Sequence, residues 1–221
     1  MKRITERELM VDPEQVLAYG RADFEDSHSN FIKLLKTYFP APGNINTALD
    51  MGCGTGDITF RLGRAFPRTK IDAIDGSSAM LDFASGMLEG ESEIKERISF
   101  IHVAVQEFLP DKYYDLIISN SLLHHMPDPS DFWDAAKRFS SPGTRVFVMD
   151  LIRPGTADEA MKLVERYSPD EPEILKRDFY NSLLAAFEID EVKLQLEAAG
   201  LGYFKTERAS DRHVIVYGIR E

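Results

Sequence analysis

The 221-residue chain has a single cysteine, Cys53. That excludes an intrachain disulfide and a cysteine-rich zinc site. No apolar stretch approaches the roughly 20 residues a membrane-spanning helix requires. Basic runs are also missing: 26 Lys and Arg face 37 Asp and Glu, for a formal net charge of −11. Such a surface repels phosphate backbones and anionic lipid, so neither nucleic acid nor membrane is expected as the main partner. The opening residues, MKRITERELMVDPEQ, are charged and lack an apolar centre. They predict no signal peptide and a cytoplasmic protein. There is no internal repeat and no low-complexity tract.

What is present is alternation. The length suits one α/β domain, residues 1–221, with an added cap. Residues 1–40 read as a helical cap; Phe31, Leu34, Leu35 and Tyr38 share one helix face, and Pro40–Gly43 ends it. Residues 44–152 form the expected core. Strands are predicted at NTALDMG, TKIDAID, ISFIHVA, YDLIISNS and TRVFVMDLI, with helices between most of them. The last of these runs is nearly all apolar, as a parallel strand covered on both faces should be. Residues 153–187 break the rhythm and predict a helical insertion. Residues 188–221 hold a helix ending at Gly200 and two strands joined by a tight link, hence an antiparallel pair. The whole is a Rossmann-like, doubly wound α/β sheet of seven strands, mostly parallel, with an antiparallel last strand. Ligands of such sheets bind beyond the carboxyl ends of the strands, where strand order reverses.

The segment ALDMGCGTGDITF falls at the end of the first strand and places Gly52, Gly54 and Gly56 at alternate positions. Two readings fit: a tight strand-to-helix turn, or a loop that lets the backbone approach a ligand. No Lys-Ser/Thr follows, so this is not a P-loop, and the spacing is not G-x-G-x-x-G. Asp50 and Asp57 flank the loop and would repel a pyrophosphate. They suit a ligand with hydroxyls, an ammonium and a positive charge. Asp75, ending the second strand, is positioned to accept from a ribose diol. Ribose, ammonium and sulfonium together describe S-adenosyl-L-methionine.

With those residues in place, the segment from about Ala48 to Pro154 resembles the class I S-adenosylmethionine-dependent methyltransferases. LDMGCGTGDITFRL resembles their first motif and is closest to the small-molecule and ubiquinone/menaquinone-biosynthesis branch. AIDGSSAMLDFA resembles the second, YDLIISNSLLHHMPDP the fourth-strand motif, and FSSPGTRVFVMDLIRP the helix-Pro-Gly-strand segment. The resemblance implies that Asp50 fixes the loop and helps hold the methionine ammonium. It implies that Gly52, Gly54 and Gly56 let the backbone pass the ligand, and that Asp75 binds the ribose. Ser77 and Met80 would line the adenine pocket. Ala104 stands where the family often has an Asp, which leaves the Val105 N–H or Gln106 for the adenine. Asn120 would border the methionine end of the cofactor.

His124 and His125 follow the fourth strand on the acceptor side and are the candidate catalytic residues. Each is either a general base, for which an imidazole pKa of roughly 6.5 is suited, or a structural hydrogen-bonding group. A zinc pair is disfavoured, because adjacent histidines project differently and no third ligand is evident. Tyr19, Phe24 and His28 belong to a segment that either closes over the site as a lid or simply packs. Phe179 and Asn181 are candidates to close it from the other side, beside Arg177 and Tyr180. Arg153 either binds a carboxylate of the acceptor or pairs with a surface acid. The expected function is methyl transfer to a small-molecule acceptor, with no metal. The alternatives are a protein or tRNA acceptor, or a non-catalytic cofactor-binding module. The glycine spacing speaks against a nicotinamide dehydrogenase.

Overall fold

The apolar runs become the inner strands of one sheet in the computed structural model, which describes residues 1–6, 10, 12–40 and 45–221. The strands are β1 (Thr47–Met51), β2 (Lys70–Asp75), β3 (Ile98–His102), β4 (Leu116–Asn120), β5 (Arg145–Leu151), β6 (Lys205–Arg208) and β7 (His213–Ile219). They lie in the order β3-β2-β1-β4-β5-β7-β6. The pairs among β1 to β5 are parallel, whereas β7 enters between β5 and β6 antiparallel to both. Strand order therefore reverses between β1 and β4, and a crevice opens beyond their carboxyl ends. The outermost strand, β6, is short and charged (KTER), which protects the edge from further pairing.

Alternate residues of the strands point to opposite faces. Leu49, Ile117, Val146 and Val216 meet Phe132, Trp133, Phe139, Val192 and Leu196 from helices α5 (Pro129–Arg138) and α8 (Ile189–Ala198) and the end of α5. On the other face Ala48, Leu116, Ile118 and Phe147 meet Phe31, Leu35, Ile58 and Leu62 from α2 (Glu25–Tyr38) and α3 (Asp57–Ala65). Full burial of each large side chain contributes roughly 1.5–3 kcal/mol. Trp133 is a packing residue, as its place on an apolar helix face implies. α4 (Ser78–Leu88) is capped by the Ser77 hydroxyl, which accepts from the Met80 N–H. The insertion after β5 forms α6 (Ala157–Tyr167) and α7 (Glu173–Ala185), packed on Leu151 through Val164 and Leu183.

The N-terminus differs from expectation. Among the described residues the first helix is α1 (Pro13–Arg21), where Pro13 and the Asp12 carboxylate make a strong start. Residues 1–6 are not helical. Of the predicted stop at Pro40–Gly43, only Pro40 is among the described residues.

Candidate functional site

β1 delivers the chain to the crevice, and the glycine loop then turns back into α3. Gly52 and Cys53 both donate to the Ile74 carbonyl, which holds the loop against β2. The glycines serve different ends. Gly52 has φ +72, and a Cβ there would lie 2.9 Å from Leu122, so glycine allows the close approach of the turn after β4. Gly54 has φ +52, and a Cβ there would meet nothing within 4 Å among the described residues. It borders open space.

Asp75 braces this loop. One carboxylate oxygen accepts from the Gly54 N–H at 2.8 Å and the other from the Ser77 N–H at 2.8 Å. Burial raises its pKa against those bonds. Asp50 lies beneath, fully buried, and accepts from the Thr59 hydroxyl at 2.6 Å. Burial, added to by the charge on Asp75, pushes Asp50 up to about 7, although the Thr59 bond opposes the rise. Asp57, the other flanking acid, turns away: its carboxylate meets the His28 Nδ1 at 2.5 Å and the Arg61 Nε at 2.8 Å.

The Asp50 shift has a stability consequence. Between about pH 4 and 7 the folded state holds a proton on Asp50 that the unfolded state has released. Stability from this group is therefore highest below its unfolded pKa and declines as pH rises to about 7. The full span is at most about 4 kcal/mol. Asp50→Asn is expected to remove the decline. Urea unfolding of both proteins at pH 5 and 7.5 checks it, and equal pH slopes would refute it.

Around the crevice, Ser77 donates to the Met10 carbonyl at 2.5 Å, and Met80 is buried on α4. Val105 turns its side chain into the core while Gln106 is exposed. Asn120 ends β4, and its Oδ1 is buried with no hydrogen-bond partner among the described residues. Tyr19 and Phe24 stack in sequence with His28, ring centroids 4.9 and 5.1 Å apart. Burial, with the carboxylates of Asp75 and Asp57, pushes the Tyr19 phenol up to about 12. Tyr19 and Phe24 also border a cavity of about 220 Å³ shared with Thr55 and Asp57 of the glycine loop.

Beyond β4 the backbone takes a turn that sequence reasoning did not anticipate. Ser121 has φ 59, the left-handed region that a serine rarely occupies. A short 3-10 turn, Leu123–His125, follows. His124 is buried, and its Nδ1 lies 2.6 Å from an Asp150 oxygen. The other Asp150 oxygen accepts from the Leu123 N–H at 2.7 Å. Burial lowers the His124 pKa, but the Asp150 carboxylate and Glu6 more than reverse this and raise it. Its Nε2 is buried without a partner among the described residues. His125 is more exposed, with Nδ1 2.8 Å from the Glu6 carboxylate.

The N-terminal residues form a strap across this edge. The Arg3 guanidinium lies 3.9 Å above the Phe187 ring and donates to the carbonyls of His124, Met126 and Ala185. Ile4 donates to the Leu184 carbonyl at 3.0 Å, and the Ser182 hydroxyl donates to Glu6. Arg3, Glu6, Ser121 and Asp150 were all missed as site residues. Asp150 left a signal: an acid inside an otherwise apolar strand needs a buried partner.

Three of the residues named as acceptor candidates have partners within the fold. Arg153 is buried; it donates to the Ala186 carbonyl and to Glu188 and Glu191 at 3.0 and 2.9 Å, so its charge is already matched. His28 is buried on Asp57 and joins α2 to α3. Phe179 packs against the cluster of Leu151, Val164 and Leu183, and so supports the insertion. Asn181 is half-buried on α7. Among the described residues no helix is long and apolar enough to cross a membrane.

A family model described as "Methyltransferase domain" matches residues 49–146. The chain is 38% identical over 73 residues to a tRNA1(Val) (adenine(37)-N6)-methyltransferase of Pedobacter heparinus, covering 33% of this chain and 30% of that protein. It is 33% identical over 106 residues to a malonyl-[acyl-carrier protein] O-methyltransferase of Hahella chejuensis, covering 47% and 36%. The chain thus spans about a third of the length of these curated relatives. The fold is similar over 94% of this chain and 90% of the other to the plantazolicin methyltransferase BpumL, in complex with a triazolic desmethylPZN analog and SAH, with TM-score 0.74 and 14% identity.

Proposed function

We propose that this chain, whose core is a class I S-adenosylmethionine-dependent methyltransferase domain, transfers the methyl group of S-adenosyl-L-methionine to a small-molecule acceptor. The observation that carries the reading is the space over Gly54, open among the described residues, directly beside the Asp75 carboxylate at the switch point of the sheet. The unpartnered Asn120 Oδ1 supports it, because a buried acceptor wants a donor such as an ammonium. The residues present therefore fit this cofactor.

When bound, the cofactor supplies a methyl on a good leaving group, open to in-line displacement. The protein's work is placement and exclusion of water. Asp75 accepts from the ribose hydroxyls while its N–H donors from Gly54 and Ser77 keep it oriented. The Gly52–Gly56 loop lets the backbone pass the ligand. Asp50, beneath that loop, gains an electrostatic partner when an ammonium approaches. Met80, Val105 and Gln106 form the adenine end, with the Val105 N–H as donor. Asn120 faces the methionine end.

The acceptor lies against the His124–His125 turn, with Tyr19, Phe24 and Asn181 around it. Asp150 orients His124 so that Nε2 meets the acceptor's nucleophile, directly as a proton acceptor or through a bound cation. The burial of His124 favours a small acceptor over a folded macromolecule. The similarity to a tRNA methyltransferase keeps a second reading in view; the net charge of −11 weighs against it.

Calorimetric titration with S-adenosylmethionine, S-adenosylhomocysteine and NAD, followed by an acceptor screen with and without tRNA, tests the proposal. Binding of NAD alone would overturn it. Asp75→Ala removes an acceptor of charge-assisted hydrogen bonds, each contributing about 1.5–3 kcal/mol. Cofactor affinity is expected to fall at least about tenfold. Unchanged affinity would remove Asp75 from the site.

A further inference from the structure

We propose that Glu6, His124 and His125 bind a divalent first-row transition-metal ion, zinc being the reference case. The two imidazoles were expected to diverge. Instead the 3-10 turn brings their ring centroids to 4.1 Å, and the strap adds a carboxylate from a residue more than a hundred positions away. Each of the three side chains presents a ligand atom within 4.8 Å of the others. Tetrahedral zinc with bonds of about 2.0–2.1 Å holds its ligands about 3.4 Å apart, so side-chain adjustment closes the shell.

A second observation points to a ligand. His124 is 2% exposed, its Nδ1 is bonded to Asp150, and its Nε2 is buried with no partner among the described residues. A carboxylate on one ring nitrogen with the other left vacant is the arrangement that orients histidine toward a metal. Arg3 fixes the same turn by donating to the carbonyls of His124 and Met126. Two nitrogens and a carboxylate favour zinc, cobalt or nickel over magnesium or calcium. Three protein ligands leave a fourth position open. On the methyltransferase reading, that position takes the acceptor's oxygen and favours its deprotonated form; ion binding itself does not depend on that reading.

The test uses the full chain without an affinity tag, freed of metal by a chelator and titrated with cobalt(II). One equivalent is expected to bind with visible d–d absorption. Zinc should bleach the bands and magnesium should not. Glu6→Gln and His125→Asn, both at partly exposed positions, should each weaken binding at least tenfold with an unchanged circular dichroism spectrum. No stoichiometric binding by the wild-type chain overturns the proposal, as does binding that both variants retain in full. Calorimetry with S-adenosylmethionine on the metal-free protein runs in parallel. Cobalt bound without cofactor leaves the metal site standing and sinks methyl transfer; cofactor bound without cobalt does the reverse.

Discussion

Gly54→Val is expected to yield a folded protein that no longer binds S-adenosylmethionine. The Cβ would project where no atom of the described residues lies within 4 Å, so the fold has room for it. The backbone at φ +52 is unfavourable for a side chain, by roughly 1–2 kcal/mol, which a domain of this size tolerates. The cost to binding is of another kind. The isopropyl group would fill the space reserved for the ligand beside Asp75, and affinity should drop by about a hundredfold or more. Gly52→Ala makes the contrast. Its Cβ would lie 2.9 Å from Leu122 at φ +72, so it should lower the melting temperature first. Circular dichroism and calorimetry separate the two outcomes. A Gly54→Val protein that folds and binds normally would reduce the loop to a turn.

The second large effect is on stability. Asp150→Ala is expected to destabilise the fold by about 3–5 kcal/mol, because it leaves the buried His124 Nδ1 without its carboxylate partner. It also removes the acceptor of the Leu123 and Leu151 N–H groups, which donate to it at 2.7 Å each. Asp150→Asn keeps one oxygen and should lose less, about 1–3 kcal/mol. Denaturant unfolding of both variants measures this. A loss below about 1 kcal/mol in Asp150→Ala would show that the pair carries little of the turn's order.

These effects divide between features written locally in the chain and features that folding assembled. The strands were legible because burial on both faces demands near-continuous apolar runs, as in β4 and β5, and because loops between them need glycine or proline. The antiparallel end followed from the tight link before β7. The glycine loop, Asp50 and Asp75 were legible for a related reason: strand ends and a helix start bring them together over only 26 residues, with no distant element involved.

Charged partners were not legible. Arg153 had many acids within reach of any guess, and only the bridge of Ile152 to Phe187, with the Arg153 N–H donating to the Phe187 carbonyl, selected Glu188 and Glu191. Asp57 read as a loop acid until α2 placed His28 on it. The sequence by itself determined the sheet, its switch point and the loop that opens there, because backbone pairing and apolar burial follow short-range patterns. The tertiary structure alone decided the acceptor side. Arg3 reaches His124 across 121 residues, and Glu6 reaches His125 across a similar span. No local pattern encodes such a contact, since its formation depends on where the strap is held by α7 and by the turn after β4.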